Sequence, residues 1–379
     1  MTAGDMVQIH MLTAYPASLL NRDDAGLAKR IPFGGAVRTR VSSQCLKKHW
    51  RDAPGVTELG DLADRSTRIY EQRVAEPLQE QHDATAEEAR AVARYLMEKT
   101  VNTNVVDDNG RLRSGQLLVL TRAETDWLAE LGAQVLEAAR EAEVDFGGSQ
   151  VENVLEDASP LDPKSLKKQL QELPASLDTA LFGRMVTSDL FARVDASVGV
   201  AHAFTTHEEA AETDYFTAVD TLNVDDPGAG LIQDTELTTG VFYLYAVIDM
   251  EQLRDNLGGS DASAARLARN LVEAMATVSP GAKRGSTAPY SYAEFVLLER
   301  GDEQPRTLAN AFLEPVREVG ADTMQASVTA LLAHRTSMEA MYGAFDGKEA
   351  VSSLHPLAEG RMEGVSFAEA LDTIFASDE

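Results

Sequence analysis

Gly240 to Met250 reads GVFYLYAVIDM, and it is the strongest strand signal in the chain. β-Branched and aromatic side chains fill it, as a pleated, largely buried surface requires. Val7 to Tyr15 (VQIHMLTAY) is a second strand, roughly alternating and stopped by Pro16. Val198 to Thr206 (VGVAHAFTT) and Tyr292 to Glu299 (YAEFVLLE) are two more. Long excursions with helical patterning separate them. Such spacing predicts an α+β fold, one sheet carrying large insertions.

Working outward, Asn21 to Gly35 (NRDDAGLAKRIPFGG) is a loop rich in Asp, Gly and Pro. A helix starts within VSSQCLKKHWRD, capped by Ser42 or Ser43, with Leu46 and Trp50 on one face. Leu59 to Thr100 predicts two helices with a break near Pro77 or Asp83. Val101 to Gly115 reads as a polar connection, Gln116 to Leu120 as a short strand and Glu124 to Ala142 as an amphipathic helix. Phe146 to Pro163 reads as a linker, with helices at Lys164 to Glu172 and Leu177 to Arg184. His207 to Leu237 is polar and acidic, an irregular insertion rather than core. Helices are expected at Glu251 to Leu257, Ala262 to Val278, Leu308 to Val316, Thr323 to Tyr342 and Phe367 to Phe375.

The chain has 379 residues, 44% of them hydrophobic, enough for one large domain or two modest ones. No apolar run is long enough to span a membrane, and Met1 to Ile9 has no secretory pattern. Cys45 is the single cysteine, so no internal disulfide and no cysteine-based zinc site can form. A cytoplasmic protein is expected. The net charge of −27 argues against a phosphate ligand when taken alone. The total hides a local reversal. Between Arg22 and Arg51, eight cations face only Asp23 and Asp24, a net of +6.

Nucleotide-binding loops, nucleophile elbows and zinc-hydrolase patterns are all missing. His202 and His207 form the only close histidine pair and lack a third ligand at helical or hairpin spacing, so no metal and no cofactor is expected. Asp23 and Asp24 are a possible carboxylate pair for a metal-dependent ribonuclease, although their loop favours a turn-forming role.

Three constellations fit binding instead. The first is Asn21, Arg22, Lys29, Arg38 and Arg40 with Ser42, Ser43, Gln44, Lys47, Lys48 and Arg51, where cations crowd a helix start. The second is GAKRGSTAPY, Gly281 to Tyr290, with Lys283, Arg284 and Ser286 in a loop of small residues. The third runs from Arg184 and Met185 to His202, Phe204, Thr205, Thr206 and His207, an apolar wedge with an arm that suits the displacement of bases.

These stretches, in this order, resemble the CasC family of type I-E Cascade backbone proteins. The likeness rests on VQIHMLTAYPASLLNRDD, FGGAVRTRVSSQCLKKHWR, LFGRMVTS, VAHAFTTH, DYFTAVD, ELTTGVFYLYAVIDM and GAKRGSTAPY. It implies a modified RRM-like (ferredoxin-like) palm with helical fingers and a protruding thumb, in one chain over 1–379. Palm segments would be 6–52, 185–206 and 238–315, fingers 55–183, thumb 200–237 and a C-terminal helical region 316–379. The resemblance also implies a non-catalytic scaffold that oligomerises along the spacer of a CRISPR RNA and presents it to target DNA. Its partners would be that RNA, copies of itself, and the large, small, 5′-cap and RNA-processing subunits, with a helicase-nuclease engaged indirectly and no membrane. RNA contacts carry over to Arg22, Ser42, Gln44, Lys47, Lys48 and Arg51, base packing to Met185, and a DNA-facing helix to Lys164, Lys167 and Lys168. Paired aromatics of an RRM signature are not visible, so the RNA would be held by its backbone.

Overall fold

A computed structural model describes the chain apart from residues 1–3, 102–104, 109, 149–150, 185–187, 189, 192, 220–228, 318–321, 358–361 and 377–379. The chain divides into two units. One comprises Met1–Glu58, Val198–Glu251 and Asp261–Glu379, the other Leu59–Ser197 and Gln252–Ser260.

An antiparallel sheet organises the first unit. Its strands are β1 (Met6–Ser18), β2 (Arg30–Phe33), β3 (Ala36–Val41), β4 (Val198–Val200), β5 (Ala203–Thr205), β6 (Ala211–Val219), β7 (Ala229–Asp249), β8 (Phe295–Gly301) and β9 (Lys348–Ser353). They run in the order β9-β8-β1-β7-β5-β3-β2, with β4 and β6 also paired to β7. β1 lies in the middle, with Ile9 opposite Ala246 of β7 and Leu298 of β8.

Both faces of β1 are covered, so every side chain from Val7 to Leu12 is buried and a two-residue alternation of polarity is lost. Leu12, Tyr243 and Leu297 pack against Met324, Val328 and Leu331 of the helix Thr323–Tyr342. Met11, Phe242 and Leu244 line the opposite interior with Leu46, Trp50 and Met275. Polar side chains trapped in this layer need partners. Gln8 accepts from Tyr245 Oη at 3.0 Å and from the Arg306 amide at 2.7 Å. Tyr243 Oη accepts the Leu308 amide at 3.1 Å, which leaves its proton for His10 Nδ1 at 2.9 Å. His10 Nε2 then points at Glu299 Oε2, 3.5 Å away. Glu299 Oε1 accepts from Arg306 at 3.1 Å and Arg335 at 3.0 Å, and Arg335 also pairs with Glu339 and Glu349.

The second unit is mainly helical. The helices Ala86–Thr100 and Arg122–Glu141 each begin with a capping box, Thr85 with Glu88 and Thr121 with Glu124. Tyr70, Val74, Leu78, Val92, Leu96, Leu128 and Val135 form its core. The break expected near Pro77 or Asp83 falls at Asp83, whose φ is +50°. Pro77 instead lies inside a continuous helical run, directly after the π-helical turn Glu71–Ala75 and at the start of the α-helical stretch Glu76–Gln81.

Four sequence readings are corrected. The irregular insertion at His207 to Leu237 contains the β6–β7 hairpin, in register from Ala211–Thr238 to Ala218–Leu231, with a shift before the pair Val219–Ala229. Its strands carry each other's hydrogen bonds, so they need no apolar pattern. The polar connection contains a second hairpin, Val105–Asp108 with Arg111–Ser114. The Phe146–Pro163 linker holds a helix, Val151–Ala158, anchored by buried Leu155. The C-terminal stretch read as helical also supplies β9.

Candidate nucleic-acid interface

The helix α1 (Ser43–Arg51) is set by one cap and one apolar pair. Ser42 is its N-cap, and its Oγ accepts from the Cys45 amide at 3.3 Å. Leu46 and Trp50 are buried beneath it. The remaining faces turn outward: Gln44 and Lys48 are exposed, while Lys47 and Arg51 are half-buried. Asn21 Oδ1 accepts the Ser42 amide at 2.9 Å, which ties the preceding loop to the helix start. Within that loop, Asp23 Oδ1 accepts the amides of Ala25 at 2.9 Å and Leu27 at 3.0 Å. Asp23 is therefore a turn-former, as its neighbours predicted. Arg22, bridged through its backbone to Ala28, is exposed.

A second set of cations meets this helix. Arg40 Nη1 donates to His202 Nδ1 at 2.9 Å, which leaves the ring proton on Nε2. Partial burial, then Arg40 and Lys29, hold the His202 pKa below its ordinary value, so the ring is neutral at pH 7. Burial pushes the Cys45 thiol up, while Lys48, Lys29 and Arg284 pull it back. Arg284, from the GAKRGSTAPY loop, thus lies within electrostatic reach of α1; it also lowers the His49 pKa, after burial. Lys29 and Arg40 thus flank the neutral His202, while Lys29, Lys48 and Arg284, from segments more than 200 residues apart in sequence, act on Cys45 of α1. Burial also lowers the Lys47 ammonium. Lys283 Nζ donates to Thr235 Oγ1 at 2.6 Å, and Ser286 is exposed on the same loop. Such a face offers cations and neutral donors to a polyanion.

Other predicted residues lie elsewhere. Arg38 is fully buried, and its guanidinium donates to the carbonyls of Phe33, Thr205 and Phe312 at 3.3, 3.0 and 2.8 Å. It is an internal strut, and burial lowers its pKa. Thr205 and Thr206 are buried, the latter bonded to Ser327 at 2.8 Å, and Phe204 packs among Phe33, Tyr243 and Phe312. These three residues therefore sit in the root of the sheet and present no wedge at the surface. His207 donates from Nδ1 to the Glu208 carbonyl at 2.6 Å and accepts the Val241 amide on Nε2 at 3.2 Å. It lines a groove of about 740 Å³ together with Gly34, Gly35, Gly240 and Arg317. His202, expected with this group, joins the cations instead.

In the second unit, Arg184 is buried against Glu124. Met185 lies outside the described residues. Lys164, Lys167 and Lys168 are all exposed on the helix Pro163–Gln171, whose Leu166 and Leu170 face inward. Among the described residues, no cluster of His, Cys, Asp and Glu could hold a metal, and no helix is long and apolar enough to cross a membrane. Sequence reasoning counted Arg30 in the basic window but assigned it no role. Its partners Glu209 and Glu236 lie some 180 and 206 residues away, and no local signal connects them.

The first unit is an antiparallel α+β fold in which a capped helix, nearby cations and a long hairpin occur together. The chain belongs to the CT1975-like protein family, which it matches over residues 7–376. The family resemblance carried by the ordered motifs is thereby borne out. The chain is also similar to a solved chain described as "CRISPR RNA-guided surveillance complex, pre-nicking", with 25% identity, 98% of this chain and 99% of that one covered, and a TM-score of 0.81. Another, described as "CRISPR RNA-guided surveillance complex", is 21% identical over 98% and 99% of the two chains with a TM-score of 0.73, a likeness of fold. No curated protein matches the chain.

Proposed function

We propose that this chain is a non-catalytic backbone subunit of an RNA-guided CRISPR surveillance complex, which coats the spacer of a CRISPR RNA and presents it for pairing with target DNA. The observation that carries this reading is that α1, capped by Ser42, carries exposed Lys48 and half-buried Lys47 and Arg51, with Lys29 and Arg284 close enough to act on its Cys45 and Arg40 bonded to His202. Family membership and the solved relatives supply the context. On this reading the sheet is an RRM-like palm, the helical unit the fingers and the β6–β7 hairpin the thumb. Copies of the chain and the other subunits of the complex are its partners, in the cytoplasm, and the exposed lysines of Pro163–Gln171 face DNA.

Recognition is of phosphate and sugar, which lets one surface accept any spacer. The ring packing of Phe33, Phe204, Tyr243 and Phe312 favours this, because those aromatics pack on one another and Tyr243 and Phe312 are fully buried. The guide itself reads the target by base pairing. The use of Asp23 as a turn acceptor speaks against a role for it at a metal.

The test is co-expression with a CRISPR array and the partner subunits, followed by RNA extraction and a salt titration. RNA of uniform length should copurify. Lys47→Ala with Arg51→Ala should weaken binding equally for all spacers and reduce the log–log salt slope by about 0.7 for each phosphate no longer neutralised. An effect confined to particular sequences, or protein free of RNA, overturns the reading. Cleavage of paired RNA that Asp23→Asn abolishes would establish a ribonuclease instead.

A further inference from the structure

We propose that Arg30 is a positioning residue that clamps the root of the β6–β7 hairpin to the cation-bearing ribbon β2–β3. Its Nε donates to both oxygens of Glu209 at 2.7 Å, its Nη2 to Glu236, and its Nη1 to the Ala28 carbonyl at 3.1 Å. All three guanidinium nitrogens are thus engaged inside the protein. The side chains are only 31%, 19% and 11% exposed for Arg30, Glu209 and Glu236.

The two carboxylates come from both sides of the hairpin root. Glu209 precedes β6, and its amide donates to the Val37 carbonyl of β3 at 2.8 Å. Glu236 is on β7, opposite Thr213 of β6. On the neighbouring position of β7, Thr235 accepts from Lys283. Adjacent strand residues face opposite sides, so two cations grip the root from two directions.

The clamp reaches one element further. Glu236 Oε2 also accepts the Ala28 amide at 2.5 Å. Ala28 closes the loop that carries Arg22, so its N–H and its carbonyl are both held by the clamp. The loop and the hairpin cannot shift independently while it is closed. One guanidinium facing two carboxylates leaves a local charge of −1, which repels a phosphate. Arg30 is therefore spent on geometry, unlike Lys29 beside it.

The purpose of the clamp rests on the RNA-scaffold reading, but its existence does not. Hydrogen exchange on the free full-length chain tests it first. Arg30→Ala should speed exchange by at least about tenfold in residues 22–28 and at the hairpin root together, since charged hydrogen bonds are lost. Arg30→Lys should recover part of the protection. Unchanged exchange, or an increase in only one of the two segments, overturns the clamp.

RNA binding supplies a second readout of opposite sign. Glu236→Gln removes a negative charge beside the cations, and electrostatics alone predicts tighter binding. The clamp predicts binding several-fold weaker at an unchanged salt slope, because every phosphate keeps its cation. Tighter binding refutes the positioning role. If the wild-type chain binds no RNA, the function falls while the exchange result still decides the clamp.

Discussion

Glu299→Gln removes the buried carboxylate on which Arg306 and Arg335 converge. Burial by itself pushes Glu299 up. His10, Arg306 and Arg335 more than offset it and hold the group at about 2, from an ordinary 4.5. That difference corresponds to about 3 kcal/mol. Removing one partner of a buried ion pair costs about 3–5 kcal/mol, a compatible figure. The sign follows from which state binds protons. A carboxylate with a depressed folded pKa stabilises fully above 4.5, and that stabilisation is lost as pH falls toward 2. Burial lowers the His10 pKa from 6.5, so the unfolded chain takes up a proton there first, and acid also destabilises through His10. Wild type should therefore lose stability in two stages, below pH 6.5 and again below 4.5. Urea unfolding followed by Trp50 fluorescence in a Trp127→Phe background reports on the first unit alone, because the chain has only these two tryptophans. Glu299→Gln should lower stability at pH 7 by about 3 kcal/mol. Its deficit should then shrink as pH falls toward 2. A deficit under about 1 kcal/mol at pH 7, or one that stays constant down to pH 3, would refute the reasoning.

Two further substitutions test the packing that supports the site. Glu124→Ala strips the capping box of the helix Arg122–Glu141 and leaves Arg184 buried without that carboxylate. The second unit should lose about 3–5 kcal/mol, read by Trp127 fluorescence during unfolding, and a loss near the ~1 kcal/mol of a cap alone would show that the ion pair contributes nothing. Gly34→Ala places a Cβ 1.6 Å from the Leu313 carbonyl oxygen, at a residue whose φ is +61°. The β2–β3 turn must move, at a cost of about 2–4 kcal/mol, and a thermal midpoint equal to wild type would mean the turn is free of Leu313.

The strands with continuous apolar character were legible because their burial writes a pattern into adjacent residues. Gly240 to Asp249 and Val7 to Tyr15 are both in the sheet, and Met250 already begins the next helix. The β6–β7 hairpin was not legible, since its strands satisfy each other and tolerate the polar run from His207 to Leu237. The helix Val151–Ala158 hides in a linker-like stretch because Leu155 is its one fully buried side chain. The basic window and the GAKRGSTAPY loop were each visible as composition. Their proximity was not, because Arg284 reaches α1 only through the fold. Arg38 counted as a cation in sequence and proved to be an internal donor to three carbonyls.

The sequence by itself determined the α+β character, the Ser42-capped helix with Leu46 and Trp50 beneath it, the charge reversal from Arg22 to Arg51 and, through seven ordered motifs, the family. These are properties of neighbouring residues, and periodicity, capping and local charge act over a few positions. Tertiary structure alone decided which cations face outward, which are spent internally, and which acids hold them. Arg30 and Glu236 are 206 positions apart yet share hydrogen bonds, and His202 meets Arg40 across 162. Such pairs are made by strand order and register, which the local rules do not specify, and burial then fixes whether a guanidinium binds a ligand or holds the protein together.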